Sequence, residues 1–414
     1  MRSSIGVFAP LLARLALVVA SDGGGNALAR LALDKILHEG RDVFGDFDES
    51  ASVASASSPT ASFSDVFVHG YSRHSRWMAA LPDATPLTHL NIPGTHDAAT
   101  WNYSQPTQDS LASATRCDGT TPGRARVYRC QRRSIAASLD AGIRFFDLRF
   151  ALDPLDARLA FWHGPAFLSD TAALEDVLFA FYGWLDAHPS EMVLLSLQYE
   201  RGTRANATSD ARVQRKLFDA LTSRVARRYV HQARGVLGTL GDVRGKVVLF
   251  RRFDLDMLPP EFEEAMPGLH MAPAKWLDNN SRGFELVYNG TIANGSAFVE
   301  DYYHPDEYDT VAGNVDAKFG AVRTHLQQAA EGDFEHLFVT FTSGTHVEID
   351  PPVYPDVMAL GSGGGLGDMG PPAVSGINRR LLELLAEMKG KRLGVVVMDF
   401  FEEPGGLVDL LLDF

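Results

Sequence analysis

Between Ala172 and His188 the apolar side chains Leu174, Val177, Leu178, Phe181 and Leu185 recur at three- and four-residue spacing. The next segment, Met192 to Leu197, is apolar at nearly every position. The first pattern predicts an amphipathic helix and the second a strand buried on both faces. The rhythm continues with a helix around Ala211 to Arg228, strands at Lys246 to Phe250 and His336 to Phe341, and a helix near Ile377 to Met388. A strand from Leu393 to Met398 and a helix from Leu407 to Leu412 complete it. Upstream, Gly142 to Arg149 reads as a buried strand whose alternate positions place Asp147 and Arg149 on one face. Continuous apolar strands separated by helices predict an α/β fold with a parallel sheet covered on both sides, and 414 residues accommodate a closed barrel. The chain has no internal repeat.

Before this region the pattern changes character. Met1-Arg2 followed by Ile5 to Ala20 has the form of a secretory signal interrupted by Arg14; the alternative is a plain N-terminal extension. Residues 21–64 mix Gly, Ala, Ser and Asp around a short helix near Leu31 to Leu37, and Ala51 to Pro59 reads as linker. The main domain is expected to begin between Asp65 and Trp77 and to fill residues 65–414. Gly361 to Gly367 reads as a surface loop. Outside the first twenty residues no apolar run has the length needed to span a bilayer.

Composition narrows the partners. A formal net charge of −14 lacks the excess of Lys and Arg that nucleic acid or long-range attraction to anionic bilayers requires, so any membrane contact is expected to be local and partly apolar. No obligate protein partner is evident. Sequons at Asn102, Asn206, Asn279, Asn289 and Asn294 suit a secreted glycoprotein. Cys117 and Cys130, the only cysteines, flank a polar loop; they would be bridged in a secretory compartment and reduced in the cytosol.

The candidate chemistry sits near strand ends. Leu87-Thr88-His89-Leu90-Asn91-Ile92-Pro93-Gly94-Thr95-His96-Asp97 delivers an adjacent His-Asp pair just beyond a short apolar run, and Phe161-Trp162-His163-Gly164-Pro165 adds a second histidine. Two histidines that titrate near neutral pH, carboxylates to orient them and an arginine to hold an anion are the parts needed to cleave a phosphodiester without a metal. These segments, with Trp77 to Asp83, Ile143 to Arg149, Asp186 to Glu191, Arg244 to Arg252 and Met398-Asp399-Phe400, stand in an order and spacing that resembles the phosphatidylinositol-specific phospholipase C family of the bacterial type. That family lies within the PLC-like phosphodiesterase superfamily. The likeness runs from about Trp77 to the C-terminus.

The resemblance implies a distorted (β/α)8 barrel and assigns roles residue by residue. The general base falls on His96 and the general acid on His163, with Asp399 orienting His96 and Asp97 orienting His163. Arg149 would bind the phosphate and Asp147 would support Arg149 or the base. Arg252, Asp301 and Tyr303 match positions that hold the inositol ring. One departure stands out: Gln198 occupies a place where the bacterial pattern has lysine, which leaves the head group open. Calcium-dependent relatives carry carboxylates at the Arg149 and Gln198 positions; neither is acidic here, so no calcium site like theirs and no cofactor are expected. The implied reaction cleaves a phosphatidylinositol-type lipid at a membrane surface into diacylglycerol and inositol 1,2-cyclic phosphate. The alternatives are a phosphodiesterase on another glycerophospholipid or a glycolipid anchor, and a barrel that binds lipid or glycan without turnover.

Overall fold

Strands with almost no polar residue have to be covered on both faces, and here they curl around a shared interior that one seam leaves open. The structure is a computed structural model that describes residues 26–45, 73–115, 122–204, 206–289, 295–363 and 374–413. In chain order the strands are β1 (Ile92–Thr95), β2 (Phe145–Leu152), β3 (Leu159–His163), β4 (Ala166–Phe167), β5 (Val193–Tyr199), β6 (Val247–Arg252) and β7 (Leu269–His270). They continue with β8 (Phe284–Val287), β9 (Ser296–Glu300), β10 (Leu337–Phe341), β11 (Gly361–Ser362), β12 (Val374–Ser375) and β13 (Val395–Met398).

Eight of these lie side by side in the order β7-β6-β5-β2-β1-β13-β10-β9, every neighbouring pair parallel. The first strand therefore pairs with the last, as in a (β/α)8 barrel. The expected distortion has a definite place: among the described residues β7 and β9 do not pair, and β8 runs antiparallel along β9 instead. Residues 271–283 between β7 and β8 carry no helical periodicity and supply only a single 3-10 turn, Pro273–Lys275, in place of a covering helix. The short β3 and β4 extend the C-terminal end of β2 as an antiparallel flap, and β11 pairs β12 apart from the barrel.

The expected helices form at Leu174–Ala187, Ala211–Thr222, Ile377–Glu387 and Leu407–Leu412. A further long helix, Val311–Glu331, was hidden by its weak apolar stripe and polar buried positions such as Asn314 and Lys318. The short helix expected near Leu31 to Leu37 runs from Asn26 to Phe44 and docks on the barrel: Phe44 packs edge-on against Phe181 at 5.3 Å, and Trp101 donates from its indole nitrogen to the Val43 carbonyl. The expected signal segment, the Ala51 to Pro59 linker, most of the Gly361 to Gly367 loop, Cys117 and Asn294 lie outside the described residues.

Each strand divides its side chains between two cores. Phe146, Leu148, Leu195, Leu197 and Val396 point outward and pack with Phe181, Trp184, Leu217 and Leu385 of the helices. Phe145, Leu194, Val248, Phe250, Val339, Phe341, Val395 and Val397 point into the barrel. Because side-chain direction alternates with period two, the inward row on each strand can be followed upward. It reads Phe145, Asp147, Arg149 on β2, Leu194, Ser196, Gln198 on β5, and Val248, Phe250, Arg252 on β6. Each row begins apolar and ends polar at the C-terminal mouth. The close contact of β1 with β2 needs Gly94, where a Cβ would stand 3.0 Å from the Phe145 side chain.

Candidate active site

The polar top layer of the barrel forms one cluster, because the strands are in register there. Arg149 on β2 is beside Gln198 on β5, which is beside Arg252 on β6. His96 follows β1 and Asp399 follows β13, the first and last barrel strands, which pair with Thr95 opposite Met398. Gln131 donates to both the His96 and Met398 carbonyls, tying these strand ends together.

His96 donates from Nδ1 to Asp399 Oδ1 at 2.9 Å, which leaves Nε2 as the unprotonated nitrogen. An Arg149 terminal nitrogen donates to that Nε2 at 2.7 Å. Burial, followed by the Arg149 charge, holds His96 well below the usual histidine range, so its imidazole is neutral at pH 7. His163, at the end of β3, donates from Nδ1 to the Tyr128 carbonyl at 2.8 Å and lies 3.1 Å from Asp97 Oδ2. The two imidazoles stand edge to face with centres 6.3 Å apart. Asp97 sits between them, 3.6 Å from His96, and takes a left-handed backbone turn with φ of 41°.

Arg149 faces Asp97 and Asp147 at 3.4 Å each and Glu200 at 3.9 Å. Burial alone would lower its pKa, but Asp97, Glu200 and Asp147 more than offset this and hold it well above normal. Asp147 in turn accepts from the Ser196 hydroxyl at 2.8 Å and lies 3.4 Å from Arg252. The proton inventory is unusual. Burial raises Asp97 to about 7, with Asp147 adding to it and Arg149 opposing it. Burial and then Arg149 lower His163 to about 4. Asp97 and His163 touch, so a proton held between them below neutral pH belongs to the pair. Burial also raises Asp399 well above the usual carboxylate range.

Beside this cluster opens a cleft of about 940 Å³ lined by His96, Arg149, His163, Gln198, Arg252 and Tyr303, among others. The Arg252 guanidinium stacks 3.7 Å from the Trp276 ring centre, and the Trp276 indole donates to Asp301 at 2.8 Å. Tyr303 donates its hydroxyl to Asp278 at 3.0 Å. The Gln198 side-chain carbonyl is buried with no hydrogen-bond partner among the described residues. The ten residues singled out in the sequence thus share one site: His96, Asp97, Asp147, Arg149, His163 and Asp399 in its floor, Gln198, Arg252, Asp301 and Tyr303 along its wall.

Sequence reasoning missed Glu200, Trp276, Asp278 and the Tyr128 carbonyl. Glu200 accepts from the Gly164 backbone N–H at 2.7 Å, anchoring the turn after His163. It was reachable by extending the inward row from Ser196 and Gln198 by one step. Trp276 and Asp278 lie in the aperiodic 271–283 segment, and a backbone carbonyl has no signature in residue type. Cys130 is buried beside the site, with burial and then Asp399 pushing its thiol well above the ordinary value. The bridge expected to Cys117 involves a residue outside those described.

Comparison with known proteins agrees with this architecture. Over 328 residues the chain is 28% identical to the 1-phosphatidylinositol phosphodiesterase of Listeria monocytogenes, covering 79% of this chain and 81% of that one. It is 24% identical over 276 residues to the Staphylococcus aureus enzyme of the same name, covering 64% and 74%. It is 33% identical over 149 residues to human PI-PLC X domain-containing protein 1, covering 33% and 45%. No family model matches the chain. Among solved structures, a double mutant of the phosphatidylinositol-specific phospholipase C from S. aureus superimposes with a TM-score of 0.58 at 21% identity, covering 82% of this chain and 96% of that one. The L. monocytogenes enzyme gives 0.52 at 22% identity, covering 82% and 97%. In sequence and in barrel architecture the chain is thus similar to the bacterial phosphatidylinositol-specific phospholipases C.

Proposed function

We propose that the protein cleaves phosphatidylinositol by metal-independent acid-base catalysis, yielding diacylglycerol and inositol 1,2-cyclic phosphate. The observation that carries this reading is the His96 imidazole, fixed by Asp399 with its basic nitrogen toward Arg149 and facing His163 across 6.3 Å. The phosphate of the lipid takes the Arg149 donors, which frees His96 Nε2. That nitrogen removes the proton of the inositol 2-hydroxyl, whose oxygen attacks phosphorus and closes the cyclic phosphate. The bond from phosphorus to the glycerol oxygen breaks as His163 Nε2 delivers a proton to it.

The resting electrostatics favour this order of events. Arg149 is the second-largest cause lowering each histidine, after burial. A phosphodiester anion on Arg149 cancels much of its field, raising the proton affinity of both imidazoles when substrate is present. The neutral base becomes stronger, and the Asp97–His163 pair holds its proton as imidazolium where it can be donated. Arg252, Asp301, Tyr303 and Gln198, with Trp276 and Asp278, supply the polar and aromatic wall suited to a polyol ring.

The test is the initial rate of purified protein on vesicles of phosphatidylinositol, its phosphorylated forms and phosphatidylcholine, before and after exhaustive chelation. Cyclic inositol phosphate formed at an unchanged rate after chelation is expected. Strict dependence on added calcium overturns the mechanism, and a preference for phosphatidylcholine overturns the head group. Absence of turnover with retained vesicle binding favours the non-catalytic alternative.

The protein is further inferred to be secreted and glycosylated, on the leader-like first twenty residues and the exposed sequon residue Asn206. Asn279 is a poor acceptor, because its amide clamps the His304 backbone from both sides at 2.6 and 2.8 Å. A mass shift on peptide-N-glycosidase treatment of secreted protein, abolished by Asn206→Gln, checks this. Among the described residues no helix is long and apolar enough to cross a membrane.

A further inference from the structure

Away from the catalytic floor, the loops that follow β9 and β10 bring together His304, His346 and Glu348, with one ligand atom from each lying within 4.8 Å of the others. His304 Nε2 and Glu348 Oε2 are 3.2 Å apart. The two imidazole rings pack with centres 4.5 Å apart at 69°. Donor atoms on a tetrahedral zinc with bonds of about 2.0–2.1 Å stand roughly 3.3 Å from one another, so one edge of the polyhedron is already at its length.

The supporting groups are those a metal site needs. His346 donates from Nδ1 to Asn314 Oδ1 at 3.0 Å. That amide cannot be flipped without loss, because its nitrogen donates to the Tyr308 and Thr310 carbonyls at 2.7 and 3.0 Å. The tautomer of His346 is thereby set, with Nε2 left as the ligating nitrogen. The backbone of His346 exchanges two hydrogen bonds with Val353, and that of His304 exchanges two with Asn279. An ion pair between His304 and Glu348 alone would require neither the buried second imidazole nor its fixed tautomer. His346 is 5% exposed while the Glu348 side chain is 67% exposed, which leaves an open side for entry and for a water ligand.

We propose that His304, His346 and Glu348 form a zinc-type transition-metal site that staples the β9 and β10 loops at the barrel mouth. Two imidazoles with one carboxylate suit zinc and its neighbours better than the oxygen-seeking calcium or magnesium. The staple adds to the existing hydrogen bond from Thr345 N–H to the Tyr303 carbonyl at 2.8 Å. Tyr303 and Thr345 both line the catalytic cleft, so the metal would hold its rim without taking part in proton transfer.

The experiment is calorimetric titration of the metal-stripped full chain with Zn²⁺, paired with the absorption spectrum of the Co²⁺ form. One site is expected, weakened at least about 10- to 100-fold by His304→Gln, His346→Ala and Glu348→Gln. The accessible His304 and Glu348 variants keep the test independent of any folding defect in His346→Ala. The cobalt spectrum should be tetrahedral without a thiolate charge-transfer band, and zinc affinity should survive His96→Ala and Cys130→Ser. Absence of binding overturns the proposal. So does binding that is indifferent to the His304 and Glu348 variants, or that is lost with His96 or Cys130, since those residues lie together in the catalytic floor.

Discussion

Two arginines five residues apart, Arg144 just before β2 and Arg149 within its upper half, meet opposite fates on one stretch of chain. Arg144 is fully enclosed and has all five N–H groups engaged. It meets Glu191 at 2.7 and 3.1 Å and the carbonyls of Ser75, His74, Leu139 and Ile143, while stacking on Trp184. Arg149, the upper of the two, is 18% exposed and faces three carboxylates at 3.4 to 3.9 Å, too long or too poorly aligned to saturate it. The lower cation is a finished structural clamp. The upper one keeps donors and charge in reserve for an anion, at the cost of packing three acidic groups into one small volume. The same residue type thus serves stability or chemistry according to how completely its hydrogen bonds are filled.

The largest expected effects come from the histidines beside Arg149. His96→Ala and His163→Ala should each lower kcat by about 100- to 10,000-fold with unchanged melting, and the double variant should be little worse. Retention of more than about a tenth of the wild-type rate by either removes the acid-base assignment.

At the lower arginine the loss should appear in stability. Arg144→Ala strands the fully buried Glu191 carboxylate and should cost about 3–5 kcal/mol in denaturant unfolding, with the remaining folded protein active. Arg149→Lys should invert that outcome: roughly 100-fold slower turnover, because an ammonium cannot reproduce the two-donor fork, with little change in stability. If both arginine variants affected only stability, the contrast between the two arginines would be lost.

The pH profile sharpens the comparison further. His96 is held well below 6.5 by burial and Arg149, so the base stays competent as pH falls and the acid limb of kcat/KM should lie below 6.5. The proton on the Asp97–His163 pair is lost as pH rises through about 7, which places the alkaline limb of kcat/KM there. Bound phosphodiester neutralises Arg149 and raises the proton affinity of His163, so the alkaline limb of kcat should move upward. A limb that stays fixed or moves downward would show that Arg149 does not set it.

The smallest effect is expected from Gln198→Lys. It adds the cation that the bacterial pattern carries and should raise the rate on phosphatidylinositol by no more than a few-fold, with the pH profile preserved. Wild type, with a neutral amide there, should show little preference for phosphorylated inositides. Steady-state rates on both lipids, compared for the two proteins, decide it.

Much of this molecule can be read locally. Period-two and period-3.6 patterns identify most barrel strands and the main helices, because burial of one face is decided within a few residues of chain. The pair Asp147 and Arg149 is legible for the same reason. Where locality fails, so does the reading: the Val311–Glu331 helix buries Asn314 and Lys318, the latter against Glu300 at 2.8 Å, so its inner face does not look apolar. The 271–283 segment that contributes Trp276 and Asp278 has no period at all.

By itself, then, the sequence determined the α/β alternation, the shared face of Asp147 and Arg149, the residue types able to move protons and, through its family resemblance, the barrel. Tertiary structure decided who meets whom. His96 and Asp399 are 303 positions apart and touch only because the last strand pairs with the first. The open seam between β7 and β9, the Tyr128 carbonyl that fixes His163, and the meeting of His304 with His346 likewise depend on loops packed by distant elements. Hydrophobic periodicity encodes which way a side chain faces, but strand pairing and loop packing set its neighbours, and pKa values follow the neighbours.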